Sequence, residues 1–298
     1  MDAVRHHYER YTYPRYPLLA SVRSGSAQHL NLQRLWARYN TDPLPRQQQT
    51  ILIAGCGSFA PYPFSLANPR AKITALDLST TNLKRARLHC LLHLRLNVTC
   101  RRGDLLDPDV ASGPFSLIDA YGVLHHLPDP GAGLQALRGR LADNGLLRVM
   151  LYSHGARKGT EAARRALRRL KVRDVTALRG LYDRLPSGSR LARRLAEAPD
   201  GDANHGLADA FLHPQVTTFR VTALKALLAE SGMELLAFLH TGALTRPADE
   251  WQRLQQLEAN GALDINYLFL LRKNAVQNPH IPAAKSGKTA GRDRLDRL

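Results

Sequence analysis

Cysteine is scarce in this sequence: Cys56, Cys90 and Cys100 are the three present, and no two are spaced as C-x-x-C. That argues against a disulfide framework or a zinc site, so no metal is expected and a reducing cytoplasm is the expected compartment. No run of about 18 apolar residues occurs, so no membrane span is expected. The opening stretch MDAVRHHYERYTYPRYP lacks the apolar core a secretory signal needs. Acidic residues are also few, 25 against 42 Lys and Arg, and the formal charge is +17. Apolar residues nonetheless make up 44% of the 298, which excludes a disordered chain and suits one large α/β domain, or one with an insertion.

The basic excess is localised. Residues 156–195 hold 13 Lys and Arg against 3 acidic residues, and residues 272–298 hold 7 against 2. Such stretches either dock an anionic partner such as RNA or acidic lipid, or are solvated helix faces.

From Thr50 the pattern alternates strand and helix. TILIAG, AKITALDLS, NVTCRRGDLLD, FSLIDAYG and LLRVMLYS read as strands. TTNLKRARLHCLLHL reads as an amphipathic helix capped by Ser79 or Thr80, and GAGLQALRGRLADNG as a helix stopped by Asn144-Gly145. RVTALKALLAESG is a further helix, followed by the strands MELLAFLH and INYLFLLRK. The alternation predicts an α/β chain with a parallel, doubly wound sheet flanked by helices. Residues 1–47 read as an N-terminal helical extension, 48–153 as the core, and 154–216 as a basic helical insertion after the fifth strand. Residues 217–273 complete the sheet, and 274–298, rich in Pro, Gly and charge, read as a disordered tail.

Ligands of open α/β sheets lie beyond the carboxyl ends of the strands, and three features converge there. The turn Gly55-Cys56-Gly57 lets a ligand approach the backbone. Asp77, followed by Leu78, ends the second strand, where a carboxylate accepts hydrogen bonds from both hydroxyls of a ribose. Asp104 ends the third, placed to accept from an exocyclic amine such as that of adenine. A dinucleotide-binding G-x-G-x-x-G loop would need a third glycine where Ala60 stands, and a helix start against a pyrophosphate where Ala60-Pro61 stands. Pro61 and Pro63 instead suggest a stiff turn, a preformed wall for a ligand without a pyrophosphate.

The run from ILIAGCGS through ALDLS and GDLLD to GVLHHLPDP resembles class I S-adenosylmethionine-dependent methyltransferases. A bacterial group of these with an N-terminal YxxYxYPRYP segment is similar over roughly residues 5–272. The resemblance implies a Rossmann-like, seven-stranded, mostly parallel sheet whose last strand is antiparallel, with S-adenosylmethionine as cofactor. It implies that Ala54, Gly55 and Gly57 line the methionine end, that Asp77 holds the ribose and Asp104 the adenine, and that Leu105 packs on the base. Tyr121 and Gly122 would face the sulfonium. Where most members carry small residues, Phe59-Ala60 stand here, so an aromatic wall from Tyr62, or from Tyr11 and Tyr13, is expected instead.

If the acceptor must lose a proton, His125, His126, His154 and His213 are candidate bases, and Tyr121 could orient the acceptor. Of these, His125 and His126 lie beside the cofactor by resemblance; Tyr11, Tyr13, His154 and His213 are candidate acceptor contacts. NPPY or DPPY, the signature of exocyclic base-amine methylation, is absent. Residues 1–45 and 154–216 are expected to select the acceptor. The favoured acceptor is a small molecule methylated at O, N or S, an anionic one if Arg164, Arg165, Arg168 and Arg169 draw it in. The alternatives are an RNA or protein acceptor docked on the basic insertion and tail, and a cofactor-binding scaffold or sensor without catalysis.

Overall fold

Seven apolar runs form one sheet in the computed structural model, which describes residues 2–198, 200–240 and 246–274. The strands are β1 Thr50–Ala54, β2 Lys72–Asp77, β3 Val98–Arg102, β4 Phe115–Tyr121, β5 Leu141–Leu151, β6 Met233–Phe238 and β7 Tyr267–Lys273. They lie in the order β3-β2-β1-β4-β5-β7-β6, with β7 antiparallel to both neighbours and the first five parallel. The expected seven-stranded, mostly parallel sheet is the one observed.

Period-two alternation decides which face each strand residue feeds. Ile51, Ile53 and Leu117 join one core layer, under α2 Leu32–Tyr39, α3 Pro61–Ala67 and α4 Thr80–Leu92. Leu52, Ile118 and Val149 join the other, under α5 Pro130–Arg140, α10 Val221–Glu230 and α11 Pro247–Ala259. Covered on both faces, central β4 is buried from Phe115 to Ala120, and each such Leu or Ile contributes about 1.5–3 kcal/mol.

Between β5 and α10 stands the helical insertion: α6 His154–Arg169, α7 Val175–Tyr182, α8 Arg190–Ala196 and α9 Asn204–Leu207, then a π-turn at Ala208–Leu212. It has its own small core, in which Leu167, Leu178 and Leu195 meet Phe211. The N-terminal extension opens with α1 Asp2–Arg10 and is fastened to α4. The Glu9 carboxylate accepts from Thr80 N at 2.6 Å and Thr81 N at 3.1 Å, satisfying orphan donors at the start of that helix.

Three local expectations are corrected, one pair of alternatives is decided and one helix is added. Asn144-Gly145 does not stop a helix: α5 ends at Arg140, and the pair lies inside an irregular entry to β5, where Phe115 pairs Leu141 but Leu117 pairs Leu146. The proline turn is itself a helix start, since Pro61 is the first residue of α3, where its missing N–H costs nothing. Ser79, not Thr80, caps α4, its Oγ accepting from Asn82 N at 3.1 Å. That helix is not cleanly amphipathic, for Leu88, Leu91 and Leu92 face outward while Leu83, Ala86 and Cys90 are buried. Helix α11 went unread between the last two strands, although Pro247, with Asp249 and Glu250 in the first turn, marks its start. The proposed tail, from residue 275 on, lies outside the described residues.

Candidate functional site

At the carboxyl end of β1 the chain turns through Gly55 (φ +66°) and Gly57 (φ +57°), both in the left-handed region. A Cβ on Gly55 would stand 2.7 Å from Val123 Cγ2, and one on Gly57 would stand 2.7 Å from the Tyr13 carbonyl oxygen. The turn is therefore held between β4's exit and the N-terminal segment. Asp77, 7% exposed at the end of β2, fastens it: Oδ2 accepts from Gly57 N at 2.8 Å and Oδ1 from Ser79 N at 2.8 Å. Burial pushes the Asp77 carboxyl up, opposed by those two N–H groups and by Asn82. With the two N–H groups and the Asn82 side chain on it, the carboxylate still has acceptor capacity for a ligand hydroxyl.

The turn and Asp77 border a cleft of about 830 Å³, which Gly103, Leu105, Tyr121 and Gly122 also line. Arg140 positions the Leu105 loop, its Nη1 donating to Leu105 O at 2.9 Å and its Nε to Ala111 O at 3.0 Å. On the β4–β5 wall, Asp119 pairs with Arg148 at 2.5 Å, and the guanidinium sits 5.1 Å from the centre of the Tyr121 ring.

The far end is closed by the extension and the insertion. Tyr8 of α1 donates its hydroxyl to Asp209 Oδ1 at 3.1 Å, and both residues line the cleft with Tyr152, Arg157 and His126. Arg157 lies 4.2 Å over the Tyr152 ring and donates to Ala210 O at 3.3 Å. His126 Nδ1 is 2.8 Å from Gln215 O, so this nitrogen carries the proton and Nε2 is the free acceptor. Burial drops the His126 pKa to about 3 and raises that of Asp209 to about 6.

Of the residues singled out from sequence, Gly55, Cys56, Gly57, Asp77, Leu78, Leu105, Tyr121, Gly122, His126 and Tyr13 meet at this cleft. Asp104 stands in an adjoining recess of about 310 Å³ that shares Leu78 and Gly103 with it, and its Oδ1 accepts from Leu106 N at 2.9 Å. Six other residues stand elsewhere. Ala54 is turned into the core. Tyr62 packs on His89 and His93, and the aromatic wall is formed by Phe59 with Tyr16, rings 4.5 Å apart. Tyr11 packs on His7. His125 is wholly buried and stacked on Tyr152, and burial pushes its pKa well down, so it has neither access nor basicity. His213 is buried behind His126, rings 3.7 Å apart. His154 opens α6 and meets Thr218 Oγ1 at 3.3 Å.

Of the basic stretch, Arg157 alone lines the cleft. Arg165, Arg168 and Arg169 are exposed on α6, and Arg164 is buried on Glu161 and the His213 carbonyl. The charged side chains lining the cleft are Asp77, Asp119, Asp200 and Asp209 against Arg148 and Arg157, so an anionic ligand is not what this lining favours. Tyr8, Tyr152, Arg157 and Asp209 escaped the sequence reading. The available signal was Asp209 itself, one carboxylate inside the apolar run LADAFL.

Residues 52–147 match the Methyltransferase domain family. An uncharacterized protein of Synechococcus sp. is 32% identical over 213 residues, 68% of this chain, and the chain spans 49% of that relative. Among solved structures, PKMT2 from Rickettsia typhi aligns with a TM-score of 0.63 at 17% identity, covering 90% of this chain and 55% of its own. The CcbJ methyltransferase from Streptomyces caelestis aligns with a TM-score of 0.52 at 12% identity, covering 92% and 98%. The plantazolicin methyltransferase BpumL, in complex with SAH, aligns at 0.50 with 14% identity, covering 92% and 90%. Among the described residues no helix is long and apolar enough to cross a membrane.

Proposed function

We propose, from the premise that residues 52–147 are a methyltransferase domain in a chain with the class I methyltransferase fold, that the protein moves a methyl group from S-adenosylmethionine to a small-molecule acceptor. The observation that carries the small-molecule reading is the closure of the cleft. Tyr8 of the extension and Asp209 of the insertion meet across its far end, which leaves a cleft of about 830 Å³, a size that suits a cofactor and a compact acceptor.

The residues fit that cofactor. The glycine turn brings backbone to the cleft where a Cβ would not be accommodated, and Asp77 offers its remaining acceptor capacity to a ribose hydroxyl. Leu105, buried beside them, supplies an apolar face for a base. PKMT2 and BpumL, solved with AdoHcy and SAH, support the assignment. When bound, the cofactor supplies a methyl group on a sulfonium that departs as a neutral thioether. The protein's own part is then alignment and exclusion of water. Asp77 and the turn fix one end, and Tyr121, Phe59 and Tyr16 wall the cleft.

Calorimetry of S-adenosylmethionine binding is the direct test. Wild type is expected to bind with micromolar affinity, and Asp77→Ala about 10- to 100-fold more weakly, the worth of charge-assisted hydrogen bonds. A folded wild-type protein that does not bind the cofactor refutes the reading.

Since Arg165, Arg168 and Arg169 are exposed and do not line the cleft, Arg165→Gln/Arg168→Gln/Arg169→Gln is expected to leave cofactor affinity and small-molecule turnover within about twofold. An RNA acceptor would instead give binding that falls steeply with salt and is lost in this variant.

A further inference from the structure

Resting on the methyltransferase reading, we infer that Asp209 is the proton acceptor for a protic acceptor, a hydroxyl or an amine N–H, bound at the cleft end closed by Tyr8, His126 and Tyr152. The first support is position. Asp209 lines the same cleft as Tyr121 and Gly122 at the end of β4, and its Oδ1 is occupied by the Tyr8 hydroxyl at 3.1 Å. That bond fixes the carboxylate and leaves Oδ2 for a second donor. No described residue donates to Oδ2.

The second support is the poor fit of the alternatives. His126 is too weak a base, since its pKa lies near 3, and His125 and His213 stand behind it in the core. Tyr8 and Tyr152 hold their protons, because burial and nearby Asp209 push both phenols up. The groups facing Asp209 are Tyr8 of α1, Tyr13 of the segment after it, Tyr152 at the end of β5, Arg157 and Arg164 of α6, and Asp200 ahead of α9. Desolvation outweighs the Tyr8 bond and the two arginines, so the carboxyl titrates near 6 and is an available base at neutral pH.

The step balances. The acceptor heteroatom uses a lone pair to form the new bond to the methyl carbon. The carbon–sulfur bond breaks with its electron pair going to sulfur. The acceptor's proton passes to Asp209 Oδ2, leaving a neutral carboxylic acid that water relieves after release.

A buried carboxylate kept for chemistry should cost the fold stability, whereas a structural one should support it. Asp209→Asn keeps the acceptor oxygen for Tyr8 and removes the charge. Thermal unfolding of the free protein is expected to show this variant melting several degrees above wild type at pH 8 and level with it below pH 4, where Asp209 is protonated in both states. Calorimetry should show cofactor affinity unchanged within about threefold. Transfer of labelled methyl groups to a panel of phenols, alcohols and primary amines should fall about 100- to 10,000-fold. Asp209→Glu should recover part of that rate.

A lower melting temperature for Asp209→Asn at pH 8 overturns the inference, as does methyl transfer undiminished in that variant. So does a wild type that binds S-adenosylmethionine yet methylates no member of the panel. A wild type that does not bind the cofactor overturns the methyltransferase reading itself, and the two failures are thereby told apart.

Discussion

Arg148→Ala is expected to cost about 3–5 kcal/mol of folding stability, a fall in melting temperature on the order of 10 °C. Asp119 and Arg148 are register partners on the adjacent strands β4 and β5, and their side chains are 3% and 8% exposed. Burial drives the Asp119 carboxyl up, and the guanidinium at 2.5 Å holds it down. Removing that cation leaves a nearly buried carboxylate without its counter-ion, the costly half of a buried pair. The sign with pH follows from linkage. In the variant Asp119 would keep its proton in the folded state at a pH where the unfolded chain has lost it. The deficit therefore grows as pH rises through the new folded value and shrinks as pH falls below the ordinary carboxylate range. Urea unfolding at pH 8 and at pH 4 measures both ends. A second variant, Asp119→Leu/Arg148→Met, removes both charges together and should regain most of the loss. A single variant within about 1 kcal/mol of wild type at pH 8 would mean that water reaches Asp119.

This pair also shows what a linear reading could and could not find. β4 and β5 were legible because strands buried on both faces read as near-continuous apolar runs. The single Asp119 and Arg148 within those runs are separated by 29 residues, and nothing in spacing joins them. The glycine turn and Asp77 were legible for the opposite reason. Their partnership is short in sequence, 20 residues from Gly57 to Asp77, and follows from one strand–helix–strand unit. The Tyr8–Asp209 contact spans 201 residues and depends on where an insertion folds back, so only the three-dimensional structure reveals it. The histidines misled because their type suggested chemistry while their burial decides it. In GVLHHLPDP, adjacent His125 and His126 point to different places, one into the core against Tyr152 and one to the cleft. The misread stop at Asn144-Gly145 has a similar origin. A dipeptide that usually ends a helix here serves an irregular strand entry, where a Cβ on Gly145 would stand 2.8 Å from the Phe115 carbonyl oxygen.

The cleft's two ends are thus tied to the rest of the fold by different means, one by a backbone turn and one by side chains from distant segments. Gly57→Ala probes the first directly, and reaches the second only through the N-terminal segment that carries Tyr8 and Tyr13. With φ at +57°, alanine carries a conformational cost of about 1–2 kcal/mol. Its Cβ would also meet the Tyr13 oxygen at 2.7 Å and Pro14 Cδ at 3.3 Å, and the first of these is backbone that cannot rotate aside. Relief requires the N-terminal segment to lift. That breaks the bond from Ser58 N to Tyr13 O at 3.2 Å and the one from the Ser58 hydroxyl to Pro14 O. It also turns Gly57 N away from Asp77 Oδ2, the contact that sets the carboxylate for a diol. The expected result is a stability loss of about 2–4 kcal/mol and a loss of S-adenosylmethionine affinity of at least about 100-fold. Gly180→Ala is the control. It lies in α7 with nothing within 4 Å of its added Cβ, so it should raise stability by up to about 1 kcal/mol and leave affinity unchanged. If Gly57→Ala binds the cofactor as wild type does, the turn is not part of the binding site. If it loses affinity while Asp209→Asn keeps it, the cofactor end and the acceptor end of the cleft are physically distinct, as the geometry of Asp77 and of Tyr8–Asp209 requires.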